Sequence, residues 1–243
     1  LLPPLIPLLL APPCTLPPPA SKVVPIGKGR GAPLTATFLG NTTILIDDGK
    51  DQILIDGFLT RPGLIPSAIA PLRTHPETVD AALQRARVDR LRALFVTHSH
   101  IDHALDAAYV IHRTKRIQKT GAILHGSEST LNIGRGGDLA ESDMRPFVNY
   151  QTIRIGENFT VTVIPSRHTK PIPLVNDDLG QTIDAPLRQP ARKGQYAEGG
   201  SYDFLIKHRG RTILIKPSAN YLESALDGIQ ADALFLGGRG VGP

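Results

Sequence analysis

Apolar positions along this chain fall into alternating and helical registers, and the changes between them predict the elements. Thr35 to Asp47 and Gln52 to Asp56 are β-rich runs on either side of Asp48-Gly49-Lys50-Asp51, where Asp-Gly marks a hairpin turn. From Pro76 the period becomes helical, with Val79, Ala82, Leu83 and Ala86 on one face, proline in the first turn, and Thr74 or His75 as the cap. A strand over Ala93 to Val96 follows. Ala104, Ala107, Ala108 and Ile111 then recur at helical spacing, which predicts a helix over 103–115 with Asp102 as its N-cap and basic Arg113, Lys115 and Arg116 at its end. Ala122 to Leu124 reads as a short strand leading to a Ser127 cap. Thr152 to Ile155 and Thr160 to Ile164 alternate around Gly156-Glu157-Asn158, a second hairpin. Tyr202 to His208 and Thr212 to Ile215 pair around Arg209-Gly210, a helix near Tyr221 to Leu226 follows, and a strand runs from Ala233 to Leu236.

Between these elements lie segments without period. Arg61 to Arg73 is punctuated by prolines and is expected to form a pocket wall. Gly134-Arg135-Gly136-Gly137 lacks the flanking elements of a phosphate-binding loop and is expected to be a flexible loop. Residues 170–200, with Asn176-Asp177-Asp178, Arg188, Arg192, Lys193 and Tyr196, form an irregular stretch long enough to suggest a loop that covers substrate. Ser21 to Pro33 reads as a linker.

Composition narrows the class. A chain of 243 residues, 41% hydrophobic and 20% charged, can bury the core of one globular domain. The net charge of +5 is spread without a basic stripe or interleaved aromatics, so a small-molecule substrate is expected and a nucleic-acid partner is not. Cys14 is the sole cysteine, which excludes an internal disulfide framework. Leu1 to Ala20, a Leu/Pro tract, resembles the hydrophobic part of a secretory leader, and Cys14 after Leu-Leu-Leu-Ala-Pro-Pro resembles a bacterial lipoprotein cleavage site. The expectation is therefore a periplasmic or membrane-anchored protein attached through a Cys14 lipid. The alternative is a Pro-rich extension on a cytoplasmic chain. The tract is too short and too rich in proline for a membrane-spanning helix.

The chemistry concentrates in Thr97-His98-Ser99-His100-Ile101-Asp102-His103, directly after an apolar strand. In an extended segment alternate side chains share a face, so His98 and His100 can present two imidazoles to one ion. Asp102 and His103 follow at once. With only 8 histidines in 243 residues, such a cluster arises by chance in about one chain in a thousand, and these donors suit zinc, or iron or manganese.

His-x-His-x-Asp-His at a strand end resembles the signature of the metallo-β-lactamase superfamily, and the surrounding pattern extends that resemblance over most of residues 34–243. It implies a four-layer α/β/β/α sandwich over 34–243, after a leader and linker over 1–33, with the last strand and helix missing beyond Pro243. It also implies that the words Phe38-Leu39-Gly40-Asn41-Thr42-Thr43-Ile44-Leu45-Ile46 and Ile53-Leu54-Ile55-Asp56-Gly57 form the opening hairpin. Asp56 would then orient a metal ligand, or it merely ends its strand. His168, in Pro165-Ser166-Arg167-His168-Thr169, would complete a three-histidine site with His98 and His100 and leave a position for water. Asp102 and His103 would serve a second ion, with Asp102 catalytic, and His125 is read as structural. Where the superfamily places Gly-Asp after the strand Thr212 to Ile215, this chain has Lys216-Pro217-Ser218-Ala219-Asn220. Lys216 would put a cation in place of the second metal or pair with Asp102, and Ser218 or Asn220 could fill the gap. The implied activity is metal-dependent hydrolysis with one or two zinc ions on an ester, lactone, lactam or phosphodiester. A non-catalytic relative holding one structural metal is the alternative.

Overall fold

Three strands carry apolar side chains on both faces: β3 (Thr43–Asp47), β4 (Gln52–Ile55) and β5 (Leu91–Phe95). Ile44, Ile46, Ile53, Ile55, Ala93 and Phe95 join one buried cluster, while the alternate residues Leu45, Leu54 and Leu94 join another. A strand buried on both sides reads as a continuous apolar run, which is why these three lack clean alternation. Each fully buried aliphatic side chain stabilises the fold by about 1.5–3 kcal/mol.

The computed structural model describes residues 22–26, 34–63, 70–118, 121–169 and 179–237. The three strands sit mid-sheet in a seven-stranded sheet ordered β1-β2-β3-β4-β5-β6-β7, with β1 (Lys22–Pro25), β2 (Thr35–Gly40), β6 (Ile123–Gly126) and β7 (Met144–Pro146). Pairing is antiparallel from β1 to β4 and parallel from β4 to β7. The second sheet has five strands ordered β12-β11-β10-β9-β8, from β8 (Thr152–Ile155), β9 (Phe159–Pro165), β10 (Tyr202–His208), β11 (Arg211–Lys216) and β12 (Ala233–Leu236). Phe159, Val161, Val163, Phe204, Ile206, Ile213 and Ile215 turn from it onto the first sheet and close the inter-sheet core. Helices α1 (Pro76–Arg85), α3 (Ala107–Ile117) and α4 (Glu128–Gly136) bury Val79, Leu83, Val110, Ile111 and Leu131 against the other face of the first sheet. This is the expected α/β sandwich of two sheets. The fourth layer is represented among the described residues by the short α5 (Glu223–Leu226), beside β9. No described helix is long and apolar enough to cross a membrane.

Several expectations change. The run Thr35 to Asp47 is two strands, because Gly40 (φ 102°) and Asn41 (φ 51°) turn the chain in the left-handed region, glycine freely and asparagine at little cost. The linker stretch contributes β1, which pairs with the edge of β2 and buries Ile26. The helix expected over 103–115 is two: α2 (Ile101–Ala104), then α3. They are separated by Leu105 and Asp106, and the Asp106 carboxylate accepts from the Leu59 and Thr60 amides at 2.7 Å. The cap of α2 is His100, and Asp102 sits in its first turn. Gly134 to Gly136 lie inside α4, because glycine is needed for close approach: a Cβ on Gly136 would stand 1.9 Å from the Leu187 carbonyl oxygen. Residues 179–200 are stitched to the body, with Ile183, Ala191, Tyr196 and Ala197 buried in the helix-side core. Leu1 to Ala20 with Cys14, most of Ser21 to Pro33, part of Arg61 to Arg73, and Asn176-Asp177-Asp178 lie outside the described residues.

Candidate metal centre

β5 and β9 end at the same edge of the sandwich, and that is where the histidines meet. The Tyr202 amide at the start of β10 donates to the Thr97 carbonyl at 2.9 Å, which ties the second sheet to the motif. On the other side, the Ser99 amide donates to the Glu198 carbonyl at 2.8 Å, so the packed 179–200 segment braces the motif. His98 and His100 leave the end of β5, and His168 comes from the segment after β9. Their ligand nitrogens all lie within 4.8 Å of one another. The ring centroids are 4.7 Å apart for His98 and His100, 4.8 Å for His98 and His168, and 4.7 Å for His100 and His168.

The donor atoms suit a divalent ion. His168 Nδ1 donates to the Thr169 carbonyl at 2.7 Å, which leaves Nε2 as its lone-pair nitrogen. His98 is 2% exposed, and its Nε2 is buried without a hydrogen-bond partner among the described residues. An orphaned buried nitrogen costs about 1–3 kcal/mol unless something fills it. Burial, then the imidazoles of His103, His100 and His168, hold the His98 pKa well below the ordinary histidine value, so its ring is neutral and ready to ligate. Three imidazoles converging on an orphaned nitrogen fit a transition metal such as zinc.

His103 and Asp102 are near but differently employed. Asp56, fully buried, receives His103 Nδ1 at 2.7 Å, the Thr97 amide at 2.8 Å and the Thr97 hydroxyl at 3.0 Å, and it also accepts from the Thr42 hydroxyl. With Nδ1 fixed as donor, His103 Nε2 is left facing Asp102 Oδ2 at 3.7 Å. Burial alone would lower the His103 pKa, but the Asp56 and Asp102 carboxylates outweigh it and raise it. Burial would raise Asp102, yet the His103 and His100 imidazoles prevail and keep its carboxyl below the ordinary range, although the side chain is 50% exposed. Asp56 itself sits at φ 55°, a left-handed conformation that Asp tolerates better than most residues. Asp56 thus does more than end its strand: it fixes the ring of His103 and the backbone of Thr97.

Two further positions resolve. His125 stacks on Phe95, with centroids 4.7 Å apart, and burial pushes its pKa down to about 4, so it packs in the core as a neutral ring. Lys216 does not pair with Asp102. Ile213 and Ile215 turn into the inter-sheet core, so Lys216 takes the opposite face of β11, where Nζ is 3.7 Å from Asp203 Oδ2. Thr42, Thr97 and Asn41 were not anticipated; the last donates to the Asp102 carbonyl at 2.6 Å. Their sequence signal was faint: a Gly-Asn turn, and a threonine directly before the first histidine.

The sequence matches the family described as the beta-lactamase superfamily domain over residues 42–196, more than half of the chain. Among proteins of curated function, none matches. Among solved structures, the chain is similar to the metallo-beta-lactamase fold protein YhfI from Bacillus subtilis, at 16% identity and a TM-score of 0.47, covering 84% of this chain and 64% of that one. It is also similar to the zinc-bound PqqB from Methylobacterium extorquens, at 15% identity and a TM-score of 0.47, covering 86% of this chain and 62% of that one. The chain spans less than two thirds of the length of either.

Proposed function

The chain belongs to the beta-lactamase superfamily, and from that premise we propose that it is a zinc hydrolase acting on an ester, lactone, lactam or phosphodiester bond of a small molecule. The observation that carries this reading is the convergence of His98, His100 and His168 around the orphaned Nε2 of His98. These three would hold the ion. When bound, a divalent metal supplies Lewis acidity, which lowers the pKa of water from 15.7 toward about 7 and polarises a carbonyl or phosphoryl oxygen. Asp102, ionised and half-exposed, accepts the proton of the attacking water and passes it to the leaving group. His103, held at Nδ1 by Asp56, keeps Asp102 in place through its Nε2 edge.

The second reading, a non-catalytic relative with one structural metal, draws on the missing carboxylate at Lys216. A catalytic ion keeps an exchangeable water where a structural one is closed by a fourth protein ligand, so water exchange on the loaded protein separates the two. Export through a Cys14-linked lipid stays part of the proposal; mass spectrometry of the mature N-terminus from its host would test it.

The purified chain is expected to carry zinc by elemental analysis, and His98→Ala/His100→Ala is expected to lose it while remaining folded. Against a panel of ester, lactone, lactam and phosphodiester substrates, the loaded protein should turn over at least one class and the double variant none. Unchanged metal content in the double variant would sink the reading.

A further inference from the structure

We propose that Lys216 is a positioning residue for the metal centre, acting through the turn 217–220 on His168; this rests on the metal site proposed above. Lys216 is buried at 6% exposure, and its ammonium donates to the Ser218 carbonyl at 3.0 Å and the Asn220 carbonyl at 2.5 Å. Those same two residues hold the metal-bearing segment with their side chains. Ser218 Oγ accepts from the Thr169 amide at 2.7 Å and shares a hydrogen with Thr169 Oγ1 at 2.8 Å. Asn220 Nδ2 donates to the His168 carbonyl at 3.0 Å. Thr169 in turn receives His168 Nδ1 through its carbonyl at 2.7 Å, which fixes the tautomer of the ligand ring.

The chain of contacts therefore runs from one ammonium, through two carbonyls and two side chains, to the carbonyl and the amide of the peptide group that joins His168 to Thr169. Nothing in it requires Lys216 to touch the ion. Asp203, at 3.7 Å and 1% exposed, lies beyond hydrogen-bond reach and supplies the countercharge that a buried ammonium needs. The Tyr221 ring, 5.2 Å from Nζ, closes the outer side of the turn with a cation–π contact. A lysine suits this position because three donors on one point charge can gather carbonyls that diverge in direction, which a planar guanidinium fork does less well. His98 and His168 each stand three residues past the end of their strands, β5 and β9. The backbone beside His98 is braced by the Thr97–Tyr202 and Ser99–Glu198 hydrogen bonds, and the turn 217–220 gives His168 its corresponding brace.

The test measures zinc affinity by chelator competition and the absorption spectrum of the cobalt-loaded protein, with circular dichroism of the metal-free protein as the folding control. Lys216→Met and Asn220→Ala are each expected to weaken zinc by about 10–100-fold and to alter the cobalt spectrum, as losing an outer partner of a ligating histidine does. Because both act along one chain of contacts, the double variant should be no weaker than the weaker single one. Wild-type affinity in Asn220→Ala, or losses that multiply in the double variant, would overturn the inference while leaving the metal site standing. Where Lys216→Met does not fold, Asn220→Ala decides alone. A wild-type protein that takes up neither zinc nor cobalt overturns the proposed function, and this inference with it.

Discussion

His103 shows how a histidine of metal-binding type can be committed to the protein before any ion arrives. Its Nδ1 is shared among Asp56 at 2.7 Å, Thr42 at 2.9 Å and Thr97 at 3.1 Å, so only Nε2 is left, and that faces Asp102. His98, His100 and His168 give one ion three protein ligands. Asp102 and His103 offer a second ion two, and among the described residues no third donor joins them. A catalytic zinc typically takes three protein ligands, so one tightly bound ion per chain is expected. Native mass spectrometry measures this directly, and two ions at stoichiometric loading would refute it. Asp102→Asn is expected to leave that single ion bound while lowering the hydrolysis rate about 10²–10⁴-fold, the contribution typical of a general base. A loss of metal in this variant would instead make Asp102 a ligand.

At the scale of elements, α4 turns a glycine-rich word into helix. Ser127 caps it by accepting from the Thr130 amide, and Gly134 and Gly136 are the places where Met144, Leu124 and the Leu187 backbone come closest. Glycine inside a helix ordinarily costs about 1 kcal/mol relative to alanine, so Gly→Ala is usually stabilising there. Gly136→Ala is expected to reverse that sign, because its Cβ would meet the Leu187 carbonyl oxygen at 1.9 Å and carbon at 2.2 Å, both backbone atoms that cannot swing aside. Urea unfolding should show a loss of about 1–3 kcal/mol; a gain would mean that the 179–200 segment detaches from α4 without penalty. This element also shows what the sequence could and could not convey. Hairpins and strands around Asp48-Gly49 and Gly156-Glu157-Asn158 were legible because turn residues and alternation are local signals. The His-x-His-x-Asp-His motif was legible because four donors in six residues are rare. The helical state of Gly134 to Gly136 depends on Leu187, about fifty positions away, and the partner of Lys216 depends on strand pairing that places Asp203 on the adjacent strand. Local spacing carries neither.

The whole molecule is a sandwich with one working end and one fastened end. Asp56, His98, His168 and Tyr202 lie where β4, β5 and β9 finish and β10 begins, while the turns after β3, β8 and β10 gather at the opposite end. There Asp48 Oδ2 receives His208 Nε2 at 2.9 Å and Asn158 Nδ2 at 3.0 Å, joining the first sheet to two turns of the second. Its Oδ1 takes the Lys50 and Asp51 amides at 2.9 and 2.8 Å. Burial would raise the Asp48 pKa, but the Asp51 and Lys50 amides, His208 and Asn158 together outweigh it and hold the carboxyl down at about 2, against 3.8 for an ordinary aspartate. A folded pKa below the unfolded one means that the unfolded chain takes up the proton first. The stabilisation is thus fully present above pH 3.8 and is lost as pH falls through about 2. The shift corresponds to about 2 kcal/mol at most. Asp48→Asn should therefore cost up to about 2 kcal/mol at neutral pH and much less near pH 2, with the difference closing between about pH 4 and pH 2. Urea unfolding of chelator-treated wild-type and variant protein across that range isolates the effect from acid release of metal. Parallel stability curves, with a gap that does not close on acidification, would show that Asp48 joins the sheets by its shape and not by its charge.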